Sequence, residues 1–171
     1  MTMKKLMPLA VLCTSALIAT SATAQTSPLS VGASASITDV KYAGQTETGH
    51  TWEANGTLRL TDYSSLYTGY GQTTADFEDS NGIERTLTSS YIPVALQFTV
   101  PGEMGSLYLR GGANYYRTEF GNEKDIGWGA IGTIGVKLNT TTGPRLAFEL
   151  TYADRGDAET SSVTVGTSIG F

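Results

Sequence analysis

The sequence predicts an all-β chain, an eight-stranded antiparallel up-and-down transmembrane β-barrel behind a short export segment. Three observations carry this. Eight segments alternate apolar and polar residues with period two, the mark of a strand with unlike faces. The connections between them alternate short and long. The 20 glycines among 171 residues, with many Ser and Thr, argue against a helical bundle, because these residues are poor helix formers. The length suits one domain. A net charge of −5 disfavours a nucleic-acid partner, and a single Cys excludes an internal disulfide. A single His removes most His-based metal and catalytic sets, so neither a cofactor nor a metal is expected. After the first twenty residues no apolar run approaches the ~20 needed to cross a membrane as a helix.

Residues 1–24 (MTMKKLMPLAVLCTSALIATSATA) read as a cleaved signal peptide. Lys4 and Lys5 form the basic start, Leu6 to Ala19 the apolar stretch, and Ala22-Thr23-Ala24 the small-x-small cleavage pattern. Cleavage between Ala24 and Gln25 makes 25–171 the mature barrel domain. The apolar stretch is too short for a spanning anchor. Cys13 follows Leu12 in mid-stretch, unlike a lipid-modified cysteine, and leaves with the signal. Without Lys4 and Lys5, nine basic residues face sixteen acidic ones.

The strands follow in order. In the first, Leu29, Val31, Ala33, Ala35 and Ile37 alternate with Ser, Gly and Thr. In the second, Trp52, Ala54, Leu58 and Leu60 oppose Glu53, Asn55, Thr57 and Arg59. The third, from Leu66 to about Thr74, has two similar phases and is assigned by spacing. In the fourth, Ile92, Val94, Leu96, Phe98 and Val100 oppose Tyr91, Pro93, Ala95, Gln97 and Thr99. Pro93 has no ladder donor, and a closed barrel offers no free edge for it, so a bulge or a weakened hydrogen bond is expected near the long-loop end. In the fifth, Leu107, Leu109, Ala113 and Tyr115 oppose Tyr108, Arg110, Asn114 and Tyr116. In the sixth, Trp128, Ala130, Ile134, Val136 and Leu138 oppose Gly129, Thr133, Gly135 and Lys137. In the seventh, Leu146, Phe148, Leu150 and Tyr152 oppose Arg145, Ala147, Glu149 and Thr151. In the eighth, Val163, Val165, Ile169 and Phe171 oppose Thr164, Gly166, Ser168 and Gly170.

Charge tests the phase. Glu53, Arg59, Arg110, Lys137, Arg145 and Glu149 all fall on the polar phase, so one face excludes charge. The second, fourth and sixth connections are short. The others run about ten to fourteen residues, in the range of membrane-barrel loops, and hold twelve of the sixteen acids.

Alternation alone leaves open whether the apolar phase points in, as in a soluble periplasmic lipocalin-like barrel, or out toward lipid. Strands of about 9–11 residues match a tilted membrane crossing. Trp52, Tyr115, Trp128 and Tyr152 sit toward the long-loop ends, and Phe98 and Phe171 toward the short-turn ends, where two interfacial girdles belong. Short turns at one end and longer loops at the other fit the same reading.

The ending VTVGTSIGF resembles the C-terminal signal of bacterial outer-membrane proteins. That resemblance implies recognition of Val163, Val165, Ile169 and Phe171 by the barrel assembly machinery. YIPVALQFTV, LYLRGGANYYR and GWGAIGTIGVKLN resemble strands of the small eight-stranded barrels: the OmpA transmembrane domain, OmpX and the Ail-type proteins. The resemblance implies a Gram-negative outer-membrane location, contact with outer-membrane lipid and lipopolysaccharide, and a structural or surface-interaction role without catalysis.

At eight strands side chains fill the lumen. Arg110 and Glu149 lie at similar heights above their short turns on strands separated by one other, and they are expected to meet inside. Otherwise each takes another partner or water. Glu53, Arg59, Lys137 and Arg145 are expected to extend the same ionic network, since dehydrated charges need partners. The acid-rich loops are a solvated surface, a contact with lipopolysaccharide through divalent cations, or a site for a host or cell-surface ligand. Two alternatives remain at this point. One is a narrow channel. The other is an enzyme: His50 with Asp79-Ser80 resembles the arrangement of the lipid A palmitoyltransferase, although only Thr26, Ser27 and Pro28 lie between Gln25 and the first strand, leaving no room for that family's amphipathic helix.

Overall fold

A computed structural model describes residues 28–78, 82–138 and 144–171. The expected signal segment, its Ala24–Gln25 cleavage point, Cys13, Asp79, Ser80 and most of the sixth connection lie outside the described residues. The eight strands are β1 (Leu29–Tyr42), β2 (Gln45–Arg59), β3 (Ser64–Glu78), β4 (Glu84–Pro101), β5 (Gly105–Phe120), β6 (Glu123–Leu138), β7 (Arg145–Arg155) and β8 (Ala158–Gly170). They pair antiparallel in sequence order, and β8 closes on β1. Closure leaves no free edge at membrane depth, as hydrocarbon demands.

The register sets the dimensions. Leu29 lies opposite Leu58, and the row continues through Leu66, Leu96, Gly111, Gly132, Tyr152 and Ser161. It returns to β1 at Asp39, ten residues above its start. For eight strands this stagger tilts each strand by about 40° and gives a radius of about 8 Å. Ten residues then climb about 25 Å along the axis, the height of a lipid-facing band. Leu29 marks the lower edge of that band and Asp39, the first outward charge on β1, its upper edge.

The apolar phase points out. Leu58, Val94 and Phe148 are 44%, 44% and 50% exposed, whereas Arg110 is 8% exposed. A lipocalin-like interior requires the reverse, so that alternative is excluded. Trp52–Tyr70 and Tyr115–Trp128 pack with tilted rings at centroid distances of 5.6 and 5.3 Å on the outer wall and, with Tyr152, form the upper girdle. Phe98, Tyr63 and Phe171 are exposed at the lower rim.

Two expectations need correction. The long connections are largely strand. β1 and β2 are joined by Ala43-Gly44 alone, β5 and β6 by residues 121–122, and β7 and β8 by residues 156–157. Alternation continues past the lipid band in these hairpins, and charged outward residues there disguised it as loop. Inside the mouth, Val40, Ala75, Phe77 and Leu87 form an apolar cluster, with Tyr42 and Phe120 packed against it, so the hairpins have a small core of their own. The other concerns Pro93, where of the two expected outcomes the weakened hydrogen bond is found and the bulge is not, and only its place along the strand is corrected. It lies in mid-β4, and no residue is inserted beside it. The β3–β4 ladder skips from Thr68↔Val94 to Gly71↔Tyr91 in constant register, so the missing donor interrupts the ladder without a bulge.

Ala43 has φ +49° and Gly44 +82°. Two positive φ values make a turn of the kind that favours Asn-Gly, and a Cβ in this region costs roughly 1 kcal/mol. Ala43→Asn is expected to slow hydrogen exchange of the β1–β2 tip amides severalfold, for a gain of about 0.5–1 kcal/mol. Unchanged exchange at the tip would contradict this.

Candidate functional site in the barrel lumen

The inward phase supplies a polar column in two decks. Arg110 on β5 and Glu149 on β7 face each other across the inner surface of β6. Nη2 of Arg110 lies 3.1 Å from Oε1 of Glu149 and donates to Oε1 of Gln97 at 3.2 Å. The guanidinium stacks on the Tyr67 ring, its central carbon 3.5 Å from the centroid. Tyr67 in turn donates its hydroxyl proton to Glu53. Tyr108 donates to Oε1 of Glu149 at 2.5 Å, and the Lys137 ammonium lies 5.7 Å from the Tyr108 ring centroid. Both carboxylates thus receive tyrosine hydroxyls, and the arginine face lies against an aromatic ring. These contacts are what buried charges need in place of water.

The upper deck centres on Arg155. Its guanidinium carbon is 3.8 Å from the centroid of the Tyr91 ring, and Nη1 donates to Thr73 Oγ1 at 2.8 Å. Thr73, Thr51 and Thr38 continue as a hydroxyl chain around the wall at 2.7 and 2.8 Å. Ser89 and Thr118 pair at 2.9 Å.

The lower deck brings together Arg110, Glu149, Glu53 and Lys137. It omits two expected members. Arg59 binds Asp62 at 2.7 Å in the β2–β3 turn, and Arg145 is exposed at the lower rim. Both sit where their strands leave the lumen, so water and the turn solvate them. Arg155 and the ring of Tyr67, Tyr91 and Tyr108 were not singled out by sequence. Continuing the inward phase of β7 from Glu149 through Thr151 and Ala153 reaches Arg155, and that periodicity is the signal that finds it.

Glycine makes room for the rings. Gly135 lies opposite Tyr108 and Gly71 opposite Tyr91. A Cβ at either position would come within 2.4 Å of the tyrosine Cζ. Gly135→Ala is therefore expected to push Tyr108 off Glu149 and destabilise the barrel by about 1–3 kcal/mol. A urea titration in lipid vesicles with an unchanged midpoint would refute this.

His50 is exposed on the outer face of β2, and its Nε2 lies 2.8 Å from Thr74 Oγ1. Its proposed companions Asp79 and Ser80 lie outside the described residues. Above the lipid band several acids already have partners. Glu159 binds Lys41 at 3.2 Å, Thr48 donates to Asp39, and Thr86 donates to Asp76. Hydrogen bonding from Arg117, with added attraction from Lys124, holds the Glu119 carboxyl below the usual range. Burial, and then the hydrogen bond to Glu123, pushes the Tyr42 hydroxyl up.

A family model described as the outer membrane protein beta-barrel domain matches residues 9–171. Neisserial surface protein A superposes with a TM-score of 0.73 at 14% identity, covering 85% of this chain and 98% of its own. The attachment invasion locus protein Ail of Yersinia pestis, solved with the heparin analogue sucrose octasulfate, gives 0.62 at 17%, covering 84% and 97%. OprG of Pseudomonas aeruginosa gives 0.60 at 12%, covering 84% and 95%. At these identities the likeness is one of fold. No curated protein matches the sequence.

Proposed function

The chain belongs to the outer membrane protein beta-barrel domain family, and from that membership we propose a non-enzymatic envelope protein with a structural or surface-interaction role. The observation that carries the proposal is the filled lumen. The Arg110–Glu149 pair, stacked between Tyr67 and Tyr108, occupies the cross-section that a channel needs open. What faces the outside is a set of hairpins rich in acids, with an apolar core gathered from β1, β3, β4 and β5. Such a surface suits lipopolysaccharide bridged by divalent cations, or a cationic cell-surface ligand. It is poorly suited to a polysulfated ligand like the one bound to Ail. Purified folded protein in planar bilayers is expected to show no steady conductance and to bind lipopolysaccharide in a chelator-sensitive way. Sustained ion current, or binding indifferent to chelator, would remove this reading.

The outward residues Val163, Val165 and Ile169 of β8, with Phe171 just after it, are proposed as the signal that the assembly machinery reads. Phe171 is 61% exposed and its amide donates to Leu29 O at 2.9 Å, so its ring adds little to packing. Phe171→Ala is expected to lower the amount inserted in cells severalfold while the refolded protein keeps its urea midpoint to within about 0.5 kcal/mol. Equal insertion would contradict the assignment.

A further inference from the structure

We propose that the β7–β8 hairpin is a latch over the upper lumen, fastened shut by Arg155 across the barrel and by Asn114 at its seam with β6. The seam is the shortest ladder of the barrel among the described residues: eight pairs, against sixteen between β5 and β6. It ends at Ile131↔Ala153, although β6 continues upward to Glu123. The β2–β3 ladder also stops short, at His50↔Thr74, but there β2 runs only five residues further, and Ala75 and Phe77 of β3 join the apolar core of the mouth.

The next pair above Ile131↔Ala153 would be Ala130 and Asp154. Their carbonyls instead accept two hydrogen bonds from a single side chain, Asn114 Nδ2, at 3.1 and 3.2 Å. A side-chain amide thus replaces the backbone ladder where the strands part. At the next residue after Asp154, Arg155 reaches inward. β7 and β3 stand four strands apart in a ring of eight, so they are diametrically opposed. Arg155 nevertheless binds Thr73 of β3 and stacks on Tyr91 of β4, and it is 3% exposed. One side chain therefore ties the tip of this hairpin to the far wall.

The fastening is incomplete. Arg155 Nε and Asn114 Oδ1 are buried and have no hydrogen-bond partner among the described residues. Unmet polar groups at a closure narrow the gap between its closed and open forms. On its other edge the hairpin stays laddered to β1 up to Tyr42↔Ala158, and the Asp157 amide reaches Asp125 Oδ2 of β6 at 3.5 Å, so loss of either fastener weakens the β6–β7 seam and turns the hairpin about the β1–β8 ladder as its hinge. Turned about that hinge, the hairpin opens the wall beneath the apolar cluster of Val40, Ala75, Phe77 and Leu87, so water reaches the Thr38–Thr51–Thr73 chain through the parted seam while the Arg110 deck below stays in place.

A single cysteine at Thr51 tests this, because Cys13, the only cysteine, precedes the barrel. The purified folded barrel carrying Thr51→Cys is treated with a small water-soluble methanethiosulfonate. Reaction is expected to be slow in this parent and on the order of tenfold or more faster with Arg155→Ala, with Arg155→Lys in between. Hydrogen exchange is expected to quicken at 153–160 and not at 107–110. An unchanged labelling rate in an Arg155→Ala barrel that still shows heat-shifted gel mobility overturns the latch. So does faster exchange spread evenly over the barrel. If Arg155→Ala does not fold, Tyr91→Leu removes the stacking face and is read in the same way. Failure of both to fold makes Arg155 a structural pillar and refutes the proposal.

Discussion

Arg110→Leu is expected to destabilise the folded barrel by about 3–5 kcal/mol, the cost of leaving a buried carboxylate without its partner. Arg110 is 8% exposed, and the Glu149 side chain is 13% exposed. Removing the guanidinium strips Glu149 of its ion pair, Gln97 of a donor and Tyr67 of the cation on its ring. Among the described residues Glu149 keeps the Tyr108 hydroxyl as its hydrogen-bond donor. The double change Arg110→Leu with Glu149→Leu removes both charges and is expected to recover much of the loss, because paired desolvation costs nearly as much as pairing returns. Urea unfolding in phospholipid vesicles, followed by tryptophan fluorescence, reads the parent, Arg110→Leu, Glu149→Leu and the double change as the four corners of a double-mutant cycle. A single-mutant cost below about 1 kcal/mol would mean that water solvates the lumen at this level, and the filled-barrel account would fail.

Ile134→Arg is expected to cost about 2–4 kcal/mol, the penalty for a lipid-facing charge near the bilayer midplane. Ile134 points outward between Leu109 and Leu150, two outward positions above Leu138 at the lower rim and three below Trp128 in the upper girdle. Ser161→Arg supplies the depth control. It is also outward, but it lies between Tyr152 and Asp39 at the top of the band, where the same charge is expected to cost no more than about 1 kcal/mol. The contrast between the two sites is the measurement. Equal costs would mean that the band does not lie where the register puts it.

Most of the lipid-facing surface is legible in the sequence because strand periodicity is local. A side chain two residues on returns to the same face whatever the rest of the chain does. Leu58, Val94, Phe148 and Arg110 lie on the faces that their phase requires. The hairpins above the membrane were not legible. There the outward face meets water, so Lys41, Glu47, Asp76, Glu119 and Lys124 replace the apolar residues, and the contrast between phases disappears. The inward Val40, Phe77 and Leu87 read as stray hydrophobics until the sheet gathers them into one core.

The sequence by itself determined that this chain is a barrel and which of its faces meets lipid, because these follow from alternation, from the placing of aromatic residues and from the cost of charge in hydrocarbon. Only the tertiary structure decided which charges lie in the lumen and which of them meet. Arg110 finds Glu149 across one strand, Arg59 turns back to Asp62, and Arg155 crosses the whole lumen to Tyr91. Those choices depend on a stagger of ten residues around a ring about 8 Å in radius, and that closure is a property of all eight strands together, invisible in any one of them.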